Sequence, residues 1–152
     1  MNVDKQRPVA IGCDHAAVAL KQGLIEDLKA EGYELFDFGT FTSESVDYPD
    51  IGREVAEAVA SGRFDRGILI CGTGIGITIT ANKVKGIRAG VCSEPYSAKM
   101  ARAHNDANII GMGARVVGPG LALEIAKAFL ETEFEGGVRH QRRVDKINAL
   151  DN

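Results

Sequence analysis

Short apolar runs of strand length alternate along this chain with amphipathic segments, a pattern that predicts repeated strand–helix units around a parallel sheet. Val9 to Cys13 reads as the first strand, and Asp14 stands where it can cap the helix that follows. In that helix Leu20, Leu24 and Leu28 recur at one-turn spacing, while Lys21, Glu26 and Lys29 are expected to face water; Gly32 ends it. Tyr33 to Asp37 is the second predicted strand, and a long polar loop from Gly39 carries Asp47, Tyr48 and Pro49. Pro49 suits the first turn of a helix whose inner face is Ile51, Val55, Ala58 and Val59. Gly67 to Cys71 is apolar throughout, as a strand covered on both faces should be. After a glycine-rich turn come a strand from Arg88 to Cys92, a helix opened by Pro95 and a short strand from Ile109 to Met112. A helix with Leu121, Ile125, Ala128 and Phe129 on one face follows, and beyond the Gly136-Gly137 break a last helix runs from Arg139 to Leu150. The expected fold is a three-layer α/β/α sandwich, Rossmann-like, with a five-stranded parallel sheet and a C-terminal helix.

Composition narrows the function classes. With 152 residues, 45% of them apolar, the chain is long enough for one compact domain spanning residues 1–152 and too short for two typical ones. A net charge of -3 argues against generic nucleic-acid binding, so an anionic ligand has to be met by a local cluster. Three cysteines, an odd number without close pairing, fit a reduced cytoplasmic protein better than a disulfide framework. Met1 to Pro8 is polar, and no apolar run approaches the roughly 18 residues of a membrane span, so neither a signal peptide nor a membrane association is expected.

In a parallel sheet of this kind the strand-to-helix turns share the carboxyl edge, where ligands bind. The turns after successive strands would bring together Asp14 and His15, then Tyr48, then Cys71-Gly72-Thr73-Gly74-Ile75-Gly76, then Glu94. The glycine turn is neither a dinucleotide fingerprint nor a Walker loop, because its glycines are spaced wrongly and no Gly-Lys-Ser/Thr ending follows. It suits a nest of backbone N–H groups for negative charge, with a thiol that can be held partly as thiolate and a hydroxyl two residues on; a plain packing turn fits the same pattern. Cys13 and Cys92, inside apolar strands, read as inert core residues. Asp14-His15 and His104-Asn105-Asp106 contain metal-capable groups, but their spacing is too loose to favour a divalent cation over acid/base work, so no metal and no cofactor is expected. Arg139, His140, Arg142 and Arg143 form the one dense basic patch. Arginines at one-turn spacing match a phosphate dianion, although a solvated helix face would look the same.

Taken together in chain order, these segments resemble the type B ribose-5-phosphate isomerase family, which includes galactose-6-phosphate and allose-6-phosphate isomerases. The likeness rests on Gly12-Cys13-Asp14-His15-Ala16, Asp47-Tyr48-Pro49, Cys71 to Gly76, Ala81-Asn82-Lys83, Gly86-Ile87-Arg88-Ala89, Cys92-Ser93-Glu94, His104-Asn105-Asp106, Gly113 to Gly118 and Gly136-Gly137 with Arg139-His140-Gln141 and Arg143. The resemblance implies conversion of ribose 5-phosphate to ribulose 5-phosphate through a cis-enediolate, without cofactor, in a homodimer with shared active sites; the sequence leaves open whether dimers pair into tetramers. It implies Cys71 as the base, Gly72, Thr73, Gly74 and Gly76 as stabilisers of the enediolate, and His104 with Asp14 as the ring-opening pair. It also implies Asn105 and Tyr48 in the sugar pocket and His15, Arg115, Arg139 and Arg143 on the phosphate, with His104, Asn105 and Arg115 entering from the partner chain. Ala17 and Thr78 depart from the family's more frequent glycine and serine, both small-for-small changes. Set against this is a flavodoxin-like phosphate-binding module in which Cys71 is incidental; a thiol redox protein would need a second cysteine nearby.

Overall fold

A computed structural model describes residues 4–152, so Met1 to Val3 of the polar N-terminal stretch lie outside it. Five strands, β1 (Val9–Cys13), β2 (Leu35–Asp37), β3 (Gly67–Cys71), β4 (Ala89–Val91) and β5 (Ile109–Gly113), form one parallel sheet in the order β2-β1-β3-β5-β4. Six helices accompany them: α1 (Val18–Ala30), α2 (Tyr48–Ala60), α3 (Ile75–Ala81), α4 (Pro95–Asn105), α5 (Pro119–Leu130) and α6 (Val138–Asn148). All five residues of β1, β3 and β5 are buried, which is why they read as unbroken apolar runs.

Each face of the sheet has its own apolar layer. Leu24 and Leu28 of α1 and Ile125 and Phe129 of α5 pack with Ile11, Ile68, Ile70 and Ile110 on one face. Val55 and Val59 of α2 and Ile77 and Ala81 of α3 pack with Ala10, Leu69 and Ile109 on the other. The expected three-layer sandwich is thus present. Between β1 and β3 the strand order reverses: the chain steps outward to β2 on one side, and β3, β5 and β4 lie on the other. That reversal opens a crevice above the carboxyl ends of β1 and β3.

Local corrections have clear physical causes. Asp14 does not cap α1, which starts only at Val18; its Oδ1 accepts the Ala16 N–H at 3.0 Å and shapes the turn before the helix. Lys21, expected in water, is 0% exposed: its ammonium donates to Asp37 Oδ1 at 2.6 Å and to the Thr40 carbonyl at 2.7 Å. A lysine is tolerated in this interior because the Asp37 carboxylate pairs its charge and the Thr40 carbonyl accepts a second N–H, and the ion pair ties α1 to the end of β2. In α2 it is Ala56 that is buried with Val55 and Val59, while Ala58 and Ile51 are only partly covered. Strand β2 is shorter than predicted and starts at Leu35, since Tyr33 turns into the core and donates its hydroxyl to Glu131 at 2.8 Å. Helix α4 begins at Pro95 as expected, but Glu94 serves as its cap, accepting the Ser97 N–H, and offers no ligand group at the edge.

Candidate active site

Strand register brings the first cluster together. Cys13 pairs with Ile70 and Cys71 pairs with Gly113, so Asp14 and Cys71 stand almost abreast at the mouth of the crevice. Both are buried, at 7% and 5% exposure. The Gly74 N–H donates to Cys71 Sγ at 3.1 Å, the partner an anionic sulfur needs. The Ile75 N–H donates to Thr73 Oγ1 at 3.2 Å, which fixes a hydroxyl at the exposed rim. Cys13 and Cys92 differ: burial pushes each thiol up to about 11, so both remain protonated core residues, as expected from their strands. None of the three cysteines is joined in a disulfide.

The glycines of the turn have separate structural reasons. Gly74 has φ 81, and a Cβ there would stand 2.7 Å from the Met112 carbonyl carbon of the neighbouring strand. Gly76 leaves room for the Tyr48 ring, whose Cζ would lie 2.6 Å from a Cβ at that position. Tyr48 opens α2 and so leans over the turn from the far side of the crevice. Thr78 donates its hydroxyl to the Gly74 carbonyl at 2.6 Å, a bond that serine would make equally, and Ala17 fits the core without strain. Because Gly74→Ala combines a left-handed backbone with a steric clash, it is expected to cost about 3 kcal/mol of stability, read as a lowered urea midpoint.

Two further groups join this edge. His15 Nδ1 accepts the Val46 N–H at 3.1 Å, which holds the long loop against the first turn. Arg115 follows β5, its backbone N–H bonded to the Gly72 carbonyl at 3.0 Å, and its guanidinium lies over Gly72. Arg115 was expected to travel with His104 and Asn105; it stands instead beside the chain's own Cys71 turn, because the loop after β5 ends at the same carboxyl edge as the loop after β3.

His104 and Asn105 lie at the opposite edge. Helix α4 starts at the carboxyl edge after β4 and runs back for 11 residues, roughly 16 Å, so its last residues reach the amino ends of the strands. Arg88, just before β4, donates to the Asn105 carbonyl at 3.1 Å and marks that level. There His104 stacks on His140 of α6, centroids 4.5 Å apart and planes within 6°. Arg139 and Arg143 of the same helix are exposed beside it. Glu135 lies against both rings, its carboxylate 3.9 Å from His104 Nε2 and 3.4 Å from His140 Nε2. Burial, followed by the proximity of His104 and Arg139, holds the His140 imidazole below the usual histidine range.

Neither Glu135 nor the ring stack was foreseen, since only the tertiary fold brings residue 135 to residue 104. Among the described residues, His104, Glu135 and His140 are the one cluster with metal-capable groups close enough to share an ion. Two imidazoles in parallel planes cannot aim their in-plane lone pairs at a single point, so the arrangement suits proton handling better than coordination. The Asp14, His15 and Asp106 groups weighed for a metal are not brought together. Among the described residues, no helix is long and apolar enough to cross a membrane.

The predicted site residues therefore fall into two sets. Asp14, His15, Tyr48, Cys71, Gly72, Thr73, Gly74, Gly76 and Arg115 meet at the carboxyl edge; His104, Asn105, Arg139 and Arg143 meet at the amino edge.

Residues 9–147 match the protein family described as Ribose/Galactose Isomerase. The chain is 52% identical over 145 residues to ribose-5-phosphate isomerase B of Escherichia coli K12, covering 95% of this chain and 97% of that protein. It is 49% identical over 130 residues to a D-erythrulose-4-phosphate isomerase of Pectobacterium atrosepticum, covering 85% and 86%. Among solved structures, ribose-5-phosphate isomerase B of Clostridium thermocellum superposes with a TM-score of 0.91 at 57% identity, covering 94% of this chain and 96% of that one.

Proposed function

This chain belongs to the Ribose/Galactose Isomerase family, and from that premise we propose that it interconverts ribose 5-phosphate and ribulose 5-phosphate. The observation that carries the proposal is the pairing of buried Asp14 and buried Cys71 at the strand-order reversal, with the sulfur already receiving an amide N–H. The cycle begins with the closed sugar. A base takes the anomeric hydroxyl proton, the bond from C1 to the ring oxygen breaks, and an acid protonates that oxygen; Asp14 and His104 fill these two roles. Cys71 then takes the C2 proton, leaving an enediolate whose negative charge sits on oxygen; the O2 hydroxyl proton passes to O1, and Cys71 returns its proton to C1 as the C2 carbonyl forms. With the Gly74 and Ile75 amides engaged by Cys71 and Thr73, the enediolate falls to the amides of Gly72, Thr73 and Gly76 and to the Thr73 hydroxyl.

Both residue sets act on one substrate only if two chains combine them. The two sets lie on opposite edges of a sheet whose strand β5 alone spans about 13 Å. We read the enzyme as a homodimer in which one protomer supplies Asp14, Cys71, Thr73, His15 and Arg115 and its partner supplies the equivalents of His104, Asn105, Arg139 and Arg143. Phosphate recognition is divided in the same way, His15 and Arg115 facing the two α6 arginines.

The erythrulose-phosphate relative favours one second reading, the same chemistry on a sugar phosphate of different length. A panel of four-, five- and six-carbon sugar phosphates followed by NMR in deuterated water separates the two. Ribose 5-phosphate is expected to turn over fastest, with deuterium entering C2 of the aldose and C1 of the ketose. Faster turnover of a tetrose or hexose phosphate would move the substrate assignment, and deuterium entry at those carbons would support proton transfer over a hydride shift.

A further inference from the structure

The amino-edge cluster contains a group with no part in the cycle described above. Glu135 sits on the connection between α5 and α6, and that connection is pinned to α4 at two points: the Glu135 N–H donates to the Ala103 carbonyl at 3.0 Å, and Arg102 Nε donates to the Thr132 carbonyl at 3.3 Å. Ala103 is the residue next to His104. The carboxylate is therefore held in register with both rings of the stack, one oxygen 3.9 Å from His104 Nε2 and the other 3.4 Å from His140 Nε2, while His140 closes one face of the His104 ring at 4.5 Å.

We propose that Glu135 is a positioning residue for His104, holding its imidazole in the fixed orientation that opening of the sugar ring requires. A carboxylate beside one imidazole nitrogen stabilises the charged ring and leaves the other nitrogen to exchange a proton with substrate. His140 supports the same ring from one face, and Arg139 and Arg143 add positive charge on the α6 side. Burial and the same cations already hold His140 below the usual histidine range. In ring opening the anomeric hydroxyl proton leaves to the base, the C1–O bond breaks, and His104 gives its proton to the ring oxygen. Loss of the proton from the base to solvent and uptake of one by His104 restore both groups, with Glu135 holding the ring in place throughout.

The inference rests on the isomerase reading, and the test separates the two. Ribulose 5-phosphate has no free hydroxyl placed to close a five-membered ring, so exchange of its C1 protons with solvent needs Cys71 and no ring opening. Ribose 5-phosphate is mainly cyclic, and its conversion needs both. Glu135→Gln keeps the shape and removes the charge at an exposed position. Its turnover of ribose 5-phosphate is expected to fall about tenfold, while C1 exchange in ribulose 5-phosphate stays within about twofold of the unsubstituted enzyme. An equal fall in both rates would make Glu135 a general structural support, and no fall in either would remove it from the reaction; each result overturns the inference. Absence of C1 exchange in the unsubstituted enzyme would instead overturn the isomerase reading beneath it.

Discussion

Cys71→Ser is expected to lose about 10³- to 10⁴-fold in turnover of ribose 5-phosphate while its affinity for the sugar phosphate changes by no more than about threefold. The side chain is 5% exposed and the replacement is slightly smaller, so the fold and the Gly74 contact survive. A hydroxyl is a far weaker acid than a thiol, so it cannot act as an anionic base toward C2 at neutral pH. Affinity should hold because it is drawn from phosphate contacts to His15, Arg115 and the α6 arginines. Steady-state kinetics with calorimetric titration of ribose 5-phosphate reads both numbers. Turnover within about tenfold of the unsubstituted enzyme would place the base elsewhere, with Asp14 the nearest candidate; loss of binding would make the thiol a structural element of the turn. The flavodoxin-like binding module predicts unchanged ligand affinity and no turnover in either protein.

The second large effect comes from the far edge of the sheet. His104→Asn is expected to reduce ribose 5-phosphate turnover by about 10²- to 10³-fold, although no path within one chain brings His104 to Cys71. Its side chain is 41% exposed and its ring contacts are the His140 stack and the Glu135 carboxylate, so the substitution should leave the thermal transition within a few degrees. A stability loss large enough to explain the rate would be visible as unfolding; a stable, inactive variant is the expected result. Because asparagine neither gives nor takes a proton at neutral pH, the lost step is the proton delivery to the ring oxygen. Circular dichroism melting alongside kinetics distinguishes these outcomes.

The sheet and the starts of α2 and α4 were legible because the central strands are buried on both faces and those helices carry Pro49 and Pro95 in their first turns. The contents of the carboxyl edge were legible for the same reason: Asp14 directly follows one buried strand and Cys71 ends another, and parallel topology sends such ends to one place. Lys21 was misplaced because periodicity counts a lysine as polar and says nothing of an Asp37 carboxylate arriving from another strand. The division of the site was legible only through the family resemblance, which put Arg115 on the wrong side of it. His104 follows its helix to the amino edge, and only the direction of that helix shows that Arg115, close to it in sequence, belongs with Cys71. Glu135 had no signal at all, since an exposed glutamate before a glycine pair is ordinary until α6 folds His140 back against α4.

The division of the residue sets bears most directly on how the protein works, and mixed dimers test it. Cys71→Ser and His104→Asn chains carrying different affinity tags are coexpressed, and the heterodimer is isolated. In a symmetric dimer with shared sites, one of its two sites receives both intact residues and the other receives both substitutions. The heterodimer is therefore predicted to show about half the activity of the unsubstituted dimer, although each parent is nearly inactive. A heterodimer as inactive as its parents would contradict the shared site and require Cys71 and His104 to act within a single chain.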